Sequence, residues 1–125
     1  MNKAIVSGRI TNDLELRYTS NQKEILNINL AVKRDFKNAQ GEYDTDFIKV
    51  SVFGTTAKYL HEHSGKGKRI QVEGRIQVQQ YEKNDEKRYD TSIVAEKVEI
   101  IDFNGDPYEE FGKKVEADAK REMPF

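Results

Sequence analysis

Residues 46–53 alternate aliphatic side chains with aromatic and basic ones. Successive side chains of an extended strand point to opposite faces, so Ile48, Val50 and Val52 share one face. Branched aliphatic residues favour the buried side of a strand, and the other face is therefore predicted to be exposed. That face carries Phe47, Lys49, Ser51 and Phe53. Aromatic rings interleaved with a cation can stack on the planar groups of a ligand and hold its negative charges.

Two further segments repeat this arrangement. In residues 69–81 the predicted inward row is Ile70, Val72, Ile76 and Val78. The opposite row is Gln71, Glu73, Arg75, Gln77, Gln79 and Tyr81. In residues 24–36 the inward row is Leu26, Ile28, Leu30 and Val32, and the segment ends in Lys33, Arg34 and Phe36. Neighbouring strands of this kind would form one binding face, although each aromatic ring taken singly also fits a core position, a hairpin end or a loop contact.

These segments are predicted to be strands of a small all-β barrel. Alternation with turn residues in between indicates five strands, at residues 4–16, 24–36, 46–53, 69–81 and 88–101, the first of them interrupted at residues 11–13. A short helix is predicted at 55–63, with Thr55 as its N-cap and Gly65 as its stop. Five strands with one helix between the third and the fourth is the order of the OB-fold, whose exposed face binds oligonucleotides or oligosaccharides. Gly8 and Gly74 are expected where barrel strands bend sharply.

The composition limits the class of protein. The chain has no cysteine, which excludes disulfides, thiolate metal sites and a cysteine nucleophile. The first residues lack the apolar core of a signal peptide, and no segment is long and apolar enough to span a membrane. A cytoplasmic protein without a membrane partner is therefore expected.

The net charge of -1 hides an uneven distribution. Up to Ile101 there are 17 Lys and Arg against 15 Asp and Glu, and from Asp102 onward there are 4 against 7. The alternation also stops at Asp102. The chain is therefore predicted to divide into a mildly basic folded domain, residues 1–101, and a flexible acidic tail, residues 102–125.

Residues 3–101 resemble throughout the DNA-binding domain of bacterial single-stranded DNA-binding proteins. The matching segments, in chain order, are AIVSGR at 4–9, LRYT at 16–19, NINLAV at 27–32, KVSVFG at 49–54, VEGRI at 72–76 and RYDT at 88–91. The resemblance implies an OB-fold protein that coats single-stranded DNA without sequence specificity during replication, recombination and repair. The shortened tail suits a phage- or mobile-element-encoded member of that family.

The resemblance also implies which residues make contacts. Bases are expected to stack on Phe36, Phe47, Phe53 and Tyr81. In common family members three of these four are tryptophan, and this chain has none. The cations expected to meet phosphates are Arg9, Arg17, Lys33, Lys49, Lys66, Arg69 and Arg75. A homotetramer is implied, together with a tip that docks replication and repair proteins and comprises Glu122, Met123, Pro124 and Phe125.

Two other functions stay open from the residues alone. A metal-dependent nuclease can be built on an OB barrel, but the candidate ligands lack metal-ligand spacing, and no metal or other cofactor is expected. Those candidates are Asp44, Asp46, Asp90, Asp102, His61 and His63. A protein-interaction module could use the exposed aromatics as a subunit interface. Titration with a pyrimidine single strand would distinguish an interaction module from a DNA-binding protein, and metal-dependent cleavage of a labelled oligonucleotide would indicate a nuclease.

Overall fold

The alternating sequence forms six strands and one helix in a computed structural model that describes residues 1–102. The elements, in chain order, are β1 Ala4–Ile10, β2 Arg17–Tyr18, β3 Glu24–Lys37, β4 Tyr43–Phe53, α1 Gly54–His63, β5 Arg69–Lys83 and β6 Glu86–Ile100. Except for Asp102, the predicted acidic tail lies outside the described residues, and so does its tip, Glu122 to Phe125.

The strands close into a barrel in the order β1-β5-β6-β4-β3-β2, and β1 pairs with β3 to complete the ring. The closing contact is short, since β1 pairs with β3 only through Arg9 and Ile10 in the described part of the chain. All pairings are antiparallel except that between β4 and β6, where Val50 faces Ile93. The prediction of a five-stranded OB-type barrel with a helix between its third and fourth long strands is confirmed.

The first strand ends at Ile10, where the interruption at residues 11–13 was expected, and residues 14–16 do not belong to it. Asn12 explains the break, because its side chain bonds to the edge of β3: Nδ2 donates to the carbonyl of Asn27 at 3.0 Å, and Oδ1 accepts from the amide of Asn29 at 2.8 Å. An asparagine that binds backbone groups in this way competes with a continuing ladder. Pairing with β3 resumes only at the two-residue strand β2.

The core is formed by the inward rows of the barrel strands and one face of α1. The fully buried large side chains are Ile10, Leu26, Leu30, Val50, Val52, Leu60, Ile70 and Val72. The prediction that Ile76 and Val78 point into this core is wrong, because they are 45% and 57% exposed. They lie on the same side of β5 as Val72, but the β5–β6 hairpin extends beyond the barrel there.

Helix α1 starts directly from strand β4 without the predicted side-chain cap. Phe53 occupies the N-cap position in extended conformation, and Thr55 lies inside the helix. Gly54 makes the turn with a φ of +70°, a conformation that side chains with a Cβ disfavour. At the other end the amide of Ser64 donates to the carbonyl of Leu60 at 2.9 Å, so the helix ends before Gly65. No helix within residues 1–102 is long and apolar enough to cross a membrane.

At Gly8 and Gly74 the backbone of a neighbouring strand leaves no room for a side chain. A Cβ atom on Gly8 would lie 2.2 Å from the carbonyl oxygen of Ala31, and one on Gly74 would lie 2.1 Å from that of Val94. Gly74 also lies at the shift in register between β5 and β6, which agrees with the expected bend.

Candidate nucleic-acid interface

The outward faces of β3, β4, β5 and β6 meet in a groove of about 630 Å³, here called the first groove. Its lining includes Phe53 and Lys49 from β4, Arg75, Gln77 and Gln79 from β5, and Asp90 from β6. Lys49 and Arg75 are thus brought together with Phe53, as predicted for a face that combines rings and cations. Neutral amide side chains line much of the remaining surface and can exchange hydrogen bonds with a polar ligand.

The predicted aromatic residues do not belong to the barrel core. Phe36 is 82% exposed, Phe47 65% and Tyr81 46%. Phe53 is half-buried, borders the first groove and has the Lys23 ammonium 5.7 Å from its ring centroid. The alternative that these rings fill the core is therefore excluded for the three exposed ones, and Phe53 has an accessible edge.

Three of the predicted cations line a second, separate groove. This second groove is formed by β1, β3, β4 and β5 and includes Arg9, Lys33, Thr45 and Arg69. Arg9 pairs across the sheet with both Arg69 and Ala31, and Ala31 in turn pairs with Phe47. Phe47 therefore stands on β4 between the first groove and the second.

The remaining predicted residues lie at the margins of these grooves. Arg17 pairs with Ile25 and so shares the face of the first groove, although its guanidinium bonds Glu15 at 3.1 Å. Lys66 is exposed in the loop after α1, next to Gly67, whose carbonyl accepts from Arg9 at 3.0 Å. Tyr81 and Phe36 stand near the ends of β5 and β3 and line neither groove.

An acidic residue faces the central lysine of the first groove. The Lys49 ammonium donates to a carboxylate oxygen of Asp90 at 2.8 Å. This hydrogen bond, together with the charge of Asp90, raises the pKa of Lys49 above its ordinary value. Lys49 therefore stays charged at neutral pH, and an anionic ligand must compete with Asp90 for it.

The other candidate acids also pair with cations. Arg34 forms a two-point bond with Asp46, at 2.9 Å for each contact, and lies 3.8 Å from Asp44. These hydrogen bonds lower the pKa of Asp46. Within residues 1–102 no three His, Cys, Asp or Glu side chains come together as metal ligands. The acids that a metal-dependent nuclease would need are instead engaged in ion pairs.

Arg69 is held by Asp102 at the start of the tail. The Arg69 side chain donates to the two carboxylate oxygens at 2.9 and 3.1 Å, and the Arg69 amide donates to the same carboxylate at 3.2 Å. The bonds from the Arg69 side chain are the main cause that lowers the pKa of Asp102 below its ordinary 3.8. This carboxylate therefore ties residue 102 to the barrel wall beside the second groove.

Asp102→Asn is expected to destabilise the fold at neutral pH but not in strong acid. A carboxyl whose pKa is lowered by folding adds stability above its ordinary pKa and loses it as the pH falls through the lowered value. Thermal melts of both proteins over an acidic pH series should show melting temperatures that converge as Asp102 becomes protonated. A difference in melting temperature that stayed constant into strong acid would mean that the substitution acts through altered packing and not through loss of the carboxylate charge.

One aromatic residue with suitable neighbours was missed by the sequence analysis. Tyr43 is 44% exposed at the start of β4 and has the Lys33 ammonium 4.5 Å and the Lys37 ammonium 5.8 Å from its ring centroid. The strand was predicted to begin at residue 46, which placed Tyr43 in a loop. The available signal was its spacing of four residues from Phe47, an even number that places both rings on one face of a strand.

Comparison with known proteins agrees with this geometry. Residues 1–101 match the Single-strand binding protein family. The chain is 44% identical over 103 residues to "Single-stranded DNA-binding protein 3" of Listeria innocua, a match that covers 82% of this chain and 64% of that protein. It is 38% identical over 106 residues to the "Single-stranded DNA-binding protein" of Oceanobacillus iheyensis, with 84% and 66% covered.

A third relative is more similar in length. "Single-stranded DNA-binding protein 1" of Streptococcus pyogenes is 39% identical over 103 residues, which are 82% of this chain and 79% of that protein. The first two matches span slightly less than two thirds of the relatives' own length. The matched part includes every strand of the barrel and both grooves. By its sequence over residues 1–101, the chain belongs to the Single-strand binding protein family.

Proposed function

We propose that the protein binds single-stranded DNA without sequence preference through the outward face of the barrel. The observation that carries this proposal is the row on β4, where Lys49 and Phe53 line the first groove and the exposed ring of Phe47 follows them on the same face, beside it. Every base has a flat face that can stack on such rings, and the phosphates between bases can pair with the cations. The relatives' names point to the same ligand.

The mechanism follows from spacing and charge. Phe47 and Phe53 are six residues apart, which is about 20 Å along a strand, so they hold two separate bases of one strand. Lys49 and Arg75 line the first groove, and their cationic groups would pair with the phosphates between those bases. Asp90 holds Lys49 in place while the groove is empty and gives way when a phosphate takes over the ammonium. Binding by this exchange is reversible, as a protein that coats and releases strands requires.

The proposal predicts strong salt dependence and rejection of duplex. Affinity for a poly-pyrimidine strand, measured by quenching of the tyrosine emission, should fall as salt rises with a log-log slope of about 0.7 for each phosphate neutralised. Lys49→Ala should lower the magnitude of that slope by about 0.7, the contribution of one phosphate. A duplex of equal length should bind far more weakly, because its bases are already stacked. Equal affinity for duplex, or an affinity that salt does not change, would contradict the proposal, and an interaction module would bind neither ligand.

We also infer a homotetramer. An apolar row lies on the side of the β5–β6 hairpin that faces away from the first groove, and it comprises Ile76, Val78 and Tyr89, which are 45%, 57% and 66% exposed. Side chains of this size seldom stay in water as a cluster unless they bind another protein. Association through this row leaves the grooves open, so that one strand can pass over several subunits.

Recruitment of replication and repair proteins is proposed for the tip, Glu122 to Phe125, on the resemblance alone. The aromatic ring of Phe125, stiffened by Pro124 before it, suits an apolar pocket with a basic rim. Lys120 and Arg121 weaken the acidic steering of such a tip, so docking would be slower than for a fully acidic tail. We propose the cytoplasm as the place where the protein acts on single strands.

A further inference from the structure

Tyr43 extends the row of Phe47, Lys49 and Phe53 on β4 toward the start of that strand. Side chains two residues apart on a strand share a face, so Tyr43, Thr45 and Phe47 point to the same side. Tyr43 is 44% exposed, and Thr45 lines the second groove. The aromatic rings on β4 therefore continue past the first groove, and Tyr43 lies beside the second groove.

Two lysines stand over the Tyr43 ring. Lys37 lies directly opposite Tyr43 on β3, and Lys33 lies opposite Thr45. Their ammonium groups are 5.8 Å and 4.5 Å from the ring centroid. A cation–π contact at such an exposed site is weak, so a phosphate can draw either ammonium away from the ring at little cost.

Hydrogen bonds of Asn38 close the hairpin loop that precedes Tyr43. The side-chain oxygen of Asn38 accepts from the backbone amides of Gln40 and Glu42 at 2.9 and 3.0 Å. The backbone amide of Asn38 donates to the Glu42 carbonyl at 2.7 Å. Tyr43 follows this closed loop directly. The backbone that carries the Tyr43 ring is therefore ordered before a base stacks on it, which lowers the entropy cost of binding.

Cations that can meet phosphates continue from the first groove to this side of the barrel. The first groove has Lys49 and Arg75 against Asp90. The second groove and the hairpin beside it have the four cations Arg9, Lys33, Lys37 and Arg69, together with Asp102, which pairs with Arg69, and the exposed hairpin acids Asp35 and Glu42. Asp44 and Asp46 point to the opposite face of β4, where they bind Arg34.

We propose that Tyr43, Lys33 and Lys37 form an additional nucleotide subsite, which stacks one base of the single strand where it leaves Phe47 and passes into the second groove. The inference rests on the proposed function. It adds one stacking residue, Tyr43, and the direction in which the strand of DNA leaves Phe47. The Tyr43 ring supplies the stacking surface, and the two ammonium groups neutralise the phosphates on either side of that base.

The absence of tryptophan from the chain allows a direct test. Tyr43→Trp introduces the only indole, whose emission reports on its own surroundings. The matched control is Tyr59→Trp, on α1, where the native ring is exposed to a similar degree, 49%, but lines neither groove. Saturation with a long thymidine oligonucleotide should quench the indole of the first variant strongly and leave that of the second nearly unchanged.

Affinity measurements complete the test. Tyr43→Ala should weaken binding of a long oligonucleotide about 5- to 150-fold, the range for loss of one stacked base, and Tyr43→Phe should restore it. Binding of an oligonucleotide too short to pass Phe47 should not change. If the wild type binds but both indoles respond alike and Tyr43→Ala binds normally, the subsite does not exist. If the wild type does not bind single strands at all, the proposed function itself has failed.

Discussion

Replacement of both Phe47 and Phe53 with alanine is expected to lower the affinity for single-stranded DNA at least about 30-fold, because each lost base–aromatic contact costs about 1–3 kcal/mol. The two rings are about 20 Å apart along β4 and share no contact, so their effects should add. Phe47 is 65% exposed and Phe53 is half-buried, so the barrel should still fold. Tyrosine-quenching titrations at one fixed salt concentration measure the loss directly.

The matched control replaces the same two residues with leucine. Leucine keeps an apolar side chain of similar bulk but has no flat ring, so the leucine variant should lose most of the affinity that the alanine variant loses. The melting temperature of both variants must stay close to that of the wild type for the comparison to hold. Wild-type affinity in the alanine variant would show that the bases stack elsewhere.

Gly74→Ala is expected to destabilise the barrel by about 3 kcal/mol or more, at the upper end of the range for overpacking. The new methyl group would lie 2.1 Å from the carbonyl oxygen of Val94 and 3.0 Å from Cα of Ala95. Both are backbone atoms of the neighbouring strand, so no side chain can rotate away and the strands must separate. A loss of this size should lower the melting temperature by about 12 °C or more for a domain of this length.

Gly41→Ala separates this steric effect from the general cost of replacing a glycine. Gly41 has a φ of +79°, but a Cβ atom there meets nothing within 4 Å. Its replacement should cost only the strain of a left-handed residue, about 1–2 kcal/mol. Equal losses in the two variants would show that the close approach of β5 to β6 at Gly74 does not constrain the barrel.

The local pattern of the sequence determined most of the fold. The alternation in residues 46–53 fixed both the strand and its two faces, and Val50 and Val52 are buried where Phe47 is exposed. Strand, helix and turn signals depend on neighbouring residues only, which is why their order could be predicted. The rings and cations of the candidate site could be predicted from the resemblance, because the resemblance also rests on short segments of the sequence.

Strand ends and outer rows were predicted less well. The alternation of β5 continues through Ile76 and Val78, but whether a row is buried depends on what lies beneath it, and the barrel ends before them. The interruption of the first strand at residues 11–13 was predicted, but its continuation through residues 14–16 was not borne out, because the bonds of Asn12 to Asn27 and Asn29 join segments separate in the sequence. Tyr43 was missed because Lys33 and Lys37 meet it only across the paired strands.

The sequence by itself determined the family, the order of the strands and the alternation of rings and cations that the proposed function requires. Only the tertiary structure decided which charges are already paired. Lys49 and Asp90 are 41 residues apart in the chain, and Arg69 and Asp102 are 33 apart. No local pattern links such residues, because their contact depends on the register between strands and on the closure of the barrel. The charge that each groove offers to a strand of DNA is therefore a property of the closed barrel.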